Sequence, residues 1–477
     1  MLVGNWPVVF TYPEYTWNFS TVPQAHAAGS VISQPRSTQI ASSEEYDAWE
    51  AIGNPGWNFS EMQPFFKKAQ NFTEQNDNPL FPASGLLTPD KGTQGPIIVS
   101  MNLWYSTLAS KFLDAVNKLG FTTNPDPDGG VDAGVENIAR SVNNADGTRE
   151  YSASSYLRQA QHRSNLYVLT GAQVTKLVFG PKTGKAIVAK GVQFVANGQT
   201  HTVSVRKEVV LSAGAFQTPQ ILELSGIGNT SILKQFGIPT LIDLPVGENL
   251  MDHVLESIMF SLTPEAQKSA SLFSVPANLS ATNGTSPSAS MTGTPILWAP
   301  MASVVNASGR QTLVNNLLDT IAGGDVTPLE TAQFTIQLGW LTQENPTVPE
   351  VQVIFPSLPG TPGLPLSDGS LGVWMPTSHV HPLSRGSVHI TSADPLAPPA
   401  INPNYLAREY GESSNVLQCV APSDLTPDVL AWLQIMNFTS EISQTGELGA
   451  AVAGPIAPPP NTTSTAALTR RACSMFL

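Results

Sequence analysis

The sequence predicts an α/β fold, and three observations carry that prediction. Strand signals crowd together at KGVQFVA, HTVSV and KEVVLSAGA between residues 190 and 215, rich in valine, leucine and phenylalanine. The last of them enters a glycine turn and then a helical stretch, as a buried parallel strand does when it hands the chain to a helix. Segments of helical spacing precede this region, and strand character returns at PEVQVIFPS (349–357) and GSVHIT (386–391).

In chain order, residues 44–73 read as two short helices around a Gly-Asn-Pro-Gly turn. Residues 105–119, YSTLASKFLDAVNKL, place apolar side chains at helical spacing and stop at Gly120. A Gly/Asp/Pro loop follows, then a helix at SASSYLRQAQ, and NLYVLTGAQVTKLVFG reads as a strand, a glycine turn and a second strand. Residues 264–312 are rich in serine, threonine, proline, alanine and asparagine and read as an exposed insertion or mobile lid. The tail from Gly454 reads as irregular, and the chain has no internal repeat.

With 477 residues, 41% hydrophobic and 12% charged, the chain has a soluble globular composition and enough length for two or three domains. A net charge of −13 without a basic block argues against nucleic acid and against an anionic membrane face. No apolar run approaches the roughly 20 residues of a membrane span. Cys419 and Cys473 form no disulfide framework and lack metal-ligand spacing; they are two free thiols or one bridge.

Nine Asn-x-Ser/Thr sequons, at Asn18, Asn58, Asn71, Asn229, Asn278, Asn283, Asn306, Asn437 and Asn461, point to a secreted, extracellular glycoprotein. The first residues carry no positive n-region and no long apolar h-region, so the expectation is a leader lost together with the true N-terminus.

The most constrained stretch is Gly214 to Gly228, GAFQTPQILELSGIG, directly after KEVVLSA. Gly214 permits a sharp turn and close approach to a ligand. Thr218-Pro219 suits a helix start, followed by a helix QILELS that ends at Gly226. A strand, a glycine turn and a helix N-terminus form the arrangement that holds a dinucleotide pyrophosphate. Read alone, the same corner is equally a tight strand–helix junction of the core.

This stretch resembles the second signature of the glucose–methanol–choline (GMC) oxidoreductase family. The likeness runs through Gly214, Ala215, Thr218, Pro219, Ile221, Leu222, Ser225, Gly226, Ile227 and Gly228. It extends to YTWNFSTVPQ (15–24), EEYDAWEAIGNPGW (44–57), LPVGENLMDH (244–253) and HPLSRGSVHITSADPLAPPAINPNYL (381–406), nearest to the fungal aryl-alcohol oxidases.

The resemblance implies a Rossmann-like FAD-binding domain, incomplete here, with a substrate domain on a mixed or antiparallel sheet. Residues 1–260 would be mainly the first, with interleaved segments of the second, and 261–477 mainly the second. It implies FAD as cofactor, a small-molecule alcohol as substrate, oxygen or a quinone as electron acceptor, and no metal. It places Ser212, Ala213 and Gly214 against the cofactor and Val174 beside the adenine. A β-branched residue in a buried strand explains Val174 equally well.

Three elements that the resemblance implies are absent from this sequence. No Gly-x-Gly-x-x-Gly follows a first strand, and after Gln34-Pro35-Arg36 the chain passes through STQIAS to EEYDAW where a Gly-Gly-Ser-Ser run belongs. The base that takes the alcohol proton belongs to a His-Pro segment, yet Arg470-Arg471 directly precedes Ala472-Cys473-Ser474-Met475. The second catalytic His or Asn and a last flavin-contacting strand are likewise missing. The expectation is a truncated, impaired or inactive chain with no assignable catalytic residue, and with poor solubility or no stable FAD complex because a parallel sheet edge is left open.

The other histidines do not replace that base. His253 reads as structural. His379 and His381 share a face by period 2 without a third metal ligand, and His381-Pro382 lies in a substrate-domain segment. No Gly-x-Ser-x-Gly, His-Glu-x-x-His or P-loop is present. Two alternatives stand beside the oxidoreductase: a catalytically dead secreted relative or a gene-model fragment, and a flavin-keeping hydroxynitrile lyase of the same family.

Overall fold

The glycine- and proline-marked turn at 53–56 separates two helices, α1 (Ser43–Ala51) and α2 (Phe59–Ala69). The computed structural model describes residues 19, 21–22, 40–73, 88–101, 106–145, 148–181, 186–268, 294–324, 326–355, 372–406 and 427–457. The N–H and the hydroxyl of Ser42 both donate to the Glu45 carboxylate at 2.8 Å, and Asn58 Oδ1 accepts from the Glu61 N–H at 3.0 Å, so both helices start on capped turns. α2 runs straight into β1 (Gln70–Thr73), which pairs in parallel with β2 (Ile97–Ser100). α3 (Thr107–Lys118) buries Leu108, Phe112 and Val116 at helical spacing and stops before Gly120, whose φ is +95°.

Three further short strands follow: β3 (Gly134–Asn137), β4 (Val142–Asn143) and β5 (Thr148–Arg149). An antiparallel meander comes next, with β6 (Ala172–Phe179), β7 (Ala189–Ala196) and β8 (Gln199–Ser204) in that order. α4 (Gly214–Leu224) packs on β6 and is followed by α5 (Thr230–Gln235) and β9 (Glu248–Leu250).

The remaining described elements build the main core and a separate three-stranded sheet that includes β9. They are β10 (Val254–Leu262), α6 (Pro264–Lys268), β11 (Pro295–Ala299), α7 (Met301–Val304), α8 (Ala307–Ala322) and α9 (Pro328–Thr342). After these come β12 (Val351–Ile354), β13 (Gly372–His379), β14 (Gly386–His389), β15 (Ala400–Asn402), α10 (Pro427–Gln444), α11 (Gly446–Ala451) and β16 (Val452–Ala457).

Six strands form an antiparallel sheet in the order β16-β10-β13-β12-β11-β3. α10 lies against β13, where the Thr377 and Thr439 hydroxyls meet at 3.0 Å, and Phe112 of α3 stacks on Phe355 at 4.8 Å. Helices over antiparallel strands around one apolar cluster make the fold α/β in content. Phe260, Leu297, Met375 and Ile435 are fully buried in that cluster.

Several sequence expectations are corrected. Residues 165–170 and 207–213 form no strand: Tyr167 is 89% exposed and Val210 76%. An apolar run becomes a buried strand only where neighbouring strands satisfy its N–H and C=O groups, and none among the described residues pairs with these two. Part of SASSYLRQAQ is a π-helical turn, Ala153–Leu157, set where the buried Glu150 carboxylate accepts the Ser155 and Ser154 hydroxyls at 2.7 and 3.1 Å.

The end of the expected insertion holds β11, an interior sheet strand, and the start of the irregular tail is β16, paired with β10. Cys419, Cys473, His26, Gln34-Pro35-Arg36, the Arg470–Met475 segment and the sequons at Asn18, Asn278, Asn283 and Asn461 lie outside the described residues.

The sheet edge carries a buried acid. Glu136 of β3 accepts from the Trp298 indole N–H at 2.8 Å. Burial, reinforced by Asp128 and opposed by Trp298 and Lys91, pushes its carboxyl up to about 7. A raised carboxyl binds its proton more tightly in the folded chain, so its stabilisation is complete below about pH 4.5 and is lost as the pH rises through 7. Glu136→Gln keeps an acceptor for Trp298 and removes the titration. Above pH 7 it is expected to be more stable than the parent by about 3 kcal/mol, with the gap closing towards pH 4.5. Urea unfolding of both proteins across that range checks it, and a pH-independent difference refutes it.

Candidate functional site

The strand–glycine–helix corner is built around α4. Its C-terminal end is tied to the meander, since the Leu177 N–H of β6 donates to Ser225 Oγ at 2.8 Å. Gly226 (φ +84°) turns the chain where a Cβ would lie 2.6 Å from the Pro239 carbonyl oxygen, so glycine is required there. On the other side α4 holds the β14–β15 hairpin. Gln220 Nε2 donates to the Ala397 carbonyl at 2.7 Å, and the fully buried Glu223 accepts from the Ile390 N–H at 2.8 Å.

Glu223 also meets His389 Nδ1 at 2.8 Å, while His389 Nε2 meets Glu248 at 3.1 Å. The Glu223 hydrogen bond, helped by the charges of both carboxylates, raises the His389 pKa above its ordinary value. The same helix therefore grips β6 on one flank and β14 on the other.

The N-terminal end of α4 is different in kind. Gly214 has φ +83°, and a Cβ there would meet nothing within 4 Å. Among the described residues no side chain caps the helix, so its first N–H groups have no described side-chain acceptor beside open space. The helix begins at Gly214, not at Thr218-Pro219 as the residue types suggest; Thr218 and Pro219 lie inside it. Thr218 Oγ1 accepts from the Ala213 N–H at 3.1 Å, bracing the turn that precedes the helix.

Of the expected cofactor residues, Ser212, Ala213 and Gly214 are contiguous at this turn. Val174 is half-buried on β6, opposite Phe194 and beside a bulge, on the strand that packs against α4. Exposed apolar side chains include Val210 on the segment leading into the corner and Tyr167, Val168 and Leu169 on the segment before β6.

The other described histidines, apart from one pair, occupy separate places. His162 is exposed, and His201 stacks on Phe194 of the neighbouring strand at 5.4 Å. His253 lies 3.8 Å from Asp252, whose other oxygen accepts from the Tyr405 hydroxyl at 2.5 Å. His379 and His381 line one cavity beside α8, α9 and α10. Among the described residues no three His, Cys, Asp or Glu side chains gather as a metal site, and no helix is long and apolar enough to cross a membrane. Sequence reasoning passed over Glu223 and Gln220. Their only signal is a carboxylate and an amide inside an apolar helical run, which marks a buried partner without naming it.

The family model described as GMC oxidoreductase matches residues 29–255. The chain is 32% identical over 445 residues to a dehydrogenase of Armillaria gallica, covering 87% of this chain and 68% of the relative. It is 30% identical over 436 residues to the GMC oxidoreductase family protein Mala s 12 of Malassezia sympodialis, covering 83% and 64%. The chain thus spans about two thirds of the length of these relatives. Among solved structures, an FAD-dependent oxidoreductase from Chaetomium thermophilum superposes with a TM-score of 0.77 at 24% identity over 97% of this chain and 78% of the other. A fungal aryl-alcohol oxidase superposes with 0.74 at 22% over 96% and 77%. At these identities the likeness establishes a shared fold.

Proposed function

The chain belongs to the GMC oxidoreductase family, and from that membership we propose that it binds FAD at the Ser212–Gly214 corner and acts on CH–OH groups of small alcohols. The observation that carries the reading is Gly214. Its left-handed φ, the uncapped helix start behind it and the open space in front leave a free approach to the helix start that a side chain would obstruct. Such a place suits an anionic phosphate, because backbone N–H groups and the positive end of the helix dipole converge on it.

Ser212, Ala213 and Gly214 would hold the diphosphate side of the cofactor, and Val174 the adenine side. FAD, when bound, supplies the hydride acceptor for alcohol oxidation. The protein's share is orientation. The Glu223–His389–Glu248 cluster and the Gln220–Ala397 bond fix α4 to the β14–β15 hairpin, so the nucleotide corner and that hairpin keep one geometry. Oxygen or a quinone as acceptor is supported by the fungal aryl-alcohol oxidase and by a glucose dehydrogenase (FAD, quinone) of Drosophila melanogaster, 30% identical over 376 residues.

Arg470-Arg471 stands where the family resemblance places a His-Pro base. A positioned base contributes about 10²- to 10⁴-fold, so turnover is depressed by that order. A secretory setting is supported by Asn58, Asn229 and Asn306, which sit as helix N-caps at the surface with their sequons intact.

The test is the visible spectrum of the full chain, expressed through a eukaryotic secretory pathway and reconstituted with FAD. The expected result is a bound-flavin band that bleaches slowly with aryl or aliphatic alcohols, and a loss of mass on deglycosylation. A protein that stays colourless after reconstitution refutes cofactor binding. A band that no alcohol bleaches refutes the activity, and an unchanged mass refutes the secretory setting.

A further inference from the structure

The edge of a β-sheet is a row of unpaired N–H and C=O groups that can template another strand, and folded proteins ordinarily block it with charge, proline, a bulge, brevity or a covering segment. Nearly every described edge of this chain is blocked in one of these ways. β16 contains Gly454-Pro455, and its pairing carries register shifts. On the outer side of β3, the Asn124 N–H donates to the Val135 carbonyl and the Val135 N–H to the Thr122 carbonyl, both at 2.9 Å. The Val22 N–H donates to the Ile401 carbonyl of β15 at 2.8 Å, and bonds to Gly92, Gly95 and Arg140 close β1 and β2. β6 has two register shifts, and Ser225 Oγ takes its Leu177 N–H. β4, β5 and β9 are at most three residues long.

β8, the outer strand of the meander, is left open. All six of its residues are exposed, and it pairs with β7 without a register shift. Its sequence, QTHTVS, holds no Lys, Arg, Asp, Glu or Pro. Among the described residues it has no hydrogen-bond partner other than β7. Its threonines and valine favour the pleated conformation that a further strand would meet.

The groups that face outward follow from the turn. Asn197 and Gly198, both with positive φ, close a two-residue hairpin, so Ala196 and Gln199 form a hydrogen-bonded pair. Alternation then turns the backbone groups of Gln199, His201 and Val203 toward β7. The Val205 N–H keeps that parity by donating to the Lys190 carbonyl at 2.9 Å. The N–H and C=O groups of Thr200, Thr202 and Ser204 therefore point away from the sheet.

Three outward residues at a spacing of two match themselves when the strand is reversed about the middle one. Thr202 then meets Thr202, and Thr200 meets Ser204, each as a hydrogen-bonded pair, for about six bonds in all. The same three side chains share one face, where Thr–Thr and Thr–Ser neighbours across strands are favourable. Arg206 and Lys207, which follow β8, fall at opposite ends of the pair, beside the uncharged Asn197-Gly198 turn of the other copy. The register thus brings no like charges together.

We propose that β8 is a homodimer interface, through which two copies of this chain pair antiparallel about a two-fold axis at Thr202 and join their meanders into one continuous sheet. The contact is isologous and uses the open edge of both copies, so assembly stops at two. It is small and polar, which places the dimer in the weak, transient class. It shares no residue with the Ser212–Gly214 corner, so its outcome is independent of the flavin reading.

The test is sedimentation velocity of the full chain from about 5 to about 500 μM, where a monomer is expected to pass to a dimer and to nothing larger. Thr202→Pro removes an outward N–H that the monomer does not use, and Thr202→Lys sets two ammonium groups facing each other across the axis. Each is expected to raise the dissociation constant about 10- to 100-fold, the lysine effect shrinking at high salt. Thr202→Cys, mildly oxidised, is expected to give a disulfide-linked dimer that neither the parent nor Val203→Cys gives, because only position 202 faces itself at about 5.5 Å. A monomer throughout means that the edge is solvated or takes a strand of another protein, and overturns the proposal. A dimer that neither Thr202→Pro nor Thr202→Lys weakens, growth beyond two copies, or equal cross-linking at 202 and 203 overturns it as well. Circular dichroism shows which variants fold, and those that do decide.

Discussion

Gly214→Val is expected to weaken flavin binding about 100-fold while leaving the rest of the fold in place. Open space surrounds the added atoms in the protein alone, so packing does not forbid them. The cost in the free chain is the left-handed backbone, φ +83°, which a side chain tolerates at about 1–2 kcal/mol. The larger cost falls on the ligand: a valine occupies the volume in which a phosphate approaches the N–H groups of the first helical turn. Losing two charge-assisted hydrogen bonds amounts to about 3 kcal/mol, or about 100-fold in affinity. Gly214→Ala lies between the two. The measurements are flavin absorbance after reconstitution, FAD affinity by fluorescence, and circular dichroism to show that α4 and its surroundings persist. A Gly214→Val protein that binds FAD like the parent removes this corner from the cofactor site.

Asp428→Ala is expected to be the most destabilising single change among the residues considered. Asp428, at the start of α10, is fully buried and accepts from the Leu383 N–H at 2.6 Å, the Ser384 N–H at 2.7 Å and the Ser384 hydroxyl. These bonds hold the turn between β13 and β14 against the helix that covers the sheet. Alanine leaves three buried donors unpaired, and at about 1–3 kcal/mol for each, partly relieved by relaxation, the loss is about 3–5 kcal/mol. Asp428→Asn keeps an acceptor and loses the charge, so it falls between parent and alanine. Urea unfolding measures both. A loss under about 1 kcal/mol for alanine means that the turn finds other partners and that the cluster is not structural.

How far the sequence reaches differs along the chain. The α1–α2 pair, α3 with its stop at Gly120, and the strands β7, β12 and β14 were legible because each carries its own periodicity and punctuation. β11 and β16 were not, because PILWA adjoins a polar, proline-rich stretch and VAGPIA contains glycine and proline. They are strands because β10, β12 and β3 present ladders for them to join. The opposite error occurred at 207–213, where an apolar run with strand propensity stays unpaired and exposed.

The corner at Gly214 was readable because a glycine with positive φ before a helix is a local demand that a residue type reveals. The grip of Glu223 on His389, 166 positions away, and the cavity that brings Gln337 together with Glu350 and His379 were not readable. Nothing in the spacing of those residues distinguishes them from ordinary polar positions.

Thus the sequence by itself determined the family and the α/β content, both of which rest on short-range pattern, and it marked Gly214 as the corner proposed here for a nucleotide phosphate. Tertiary structure alone decided which apolar runs became strands, how α4 is clamped between β6 and β14, and which buried polar atoms were left without partners. The physical reason is that strand pairing and the satisfaction of buried polar groups depend on partners far away in the chain, and a local residue pattern carries no information about whether those partners arrive.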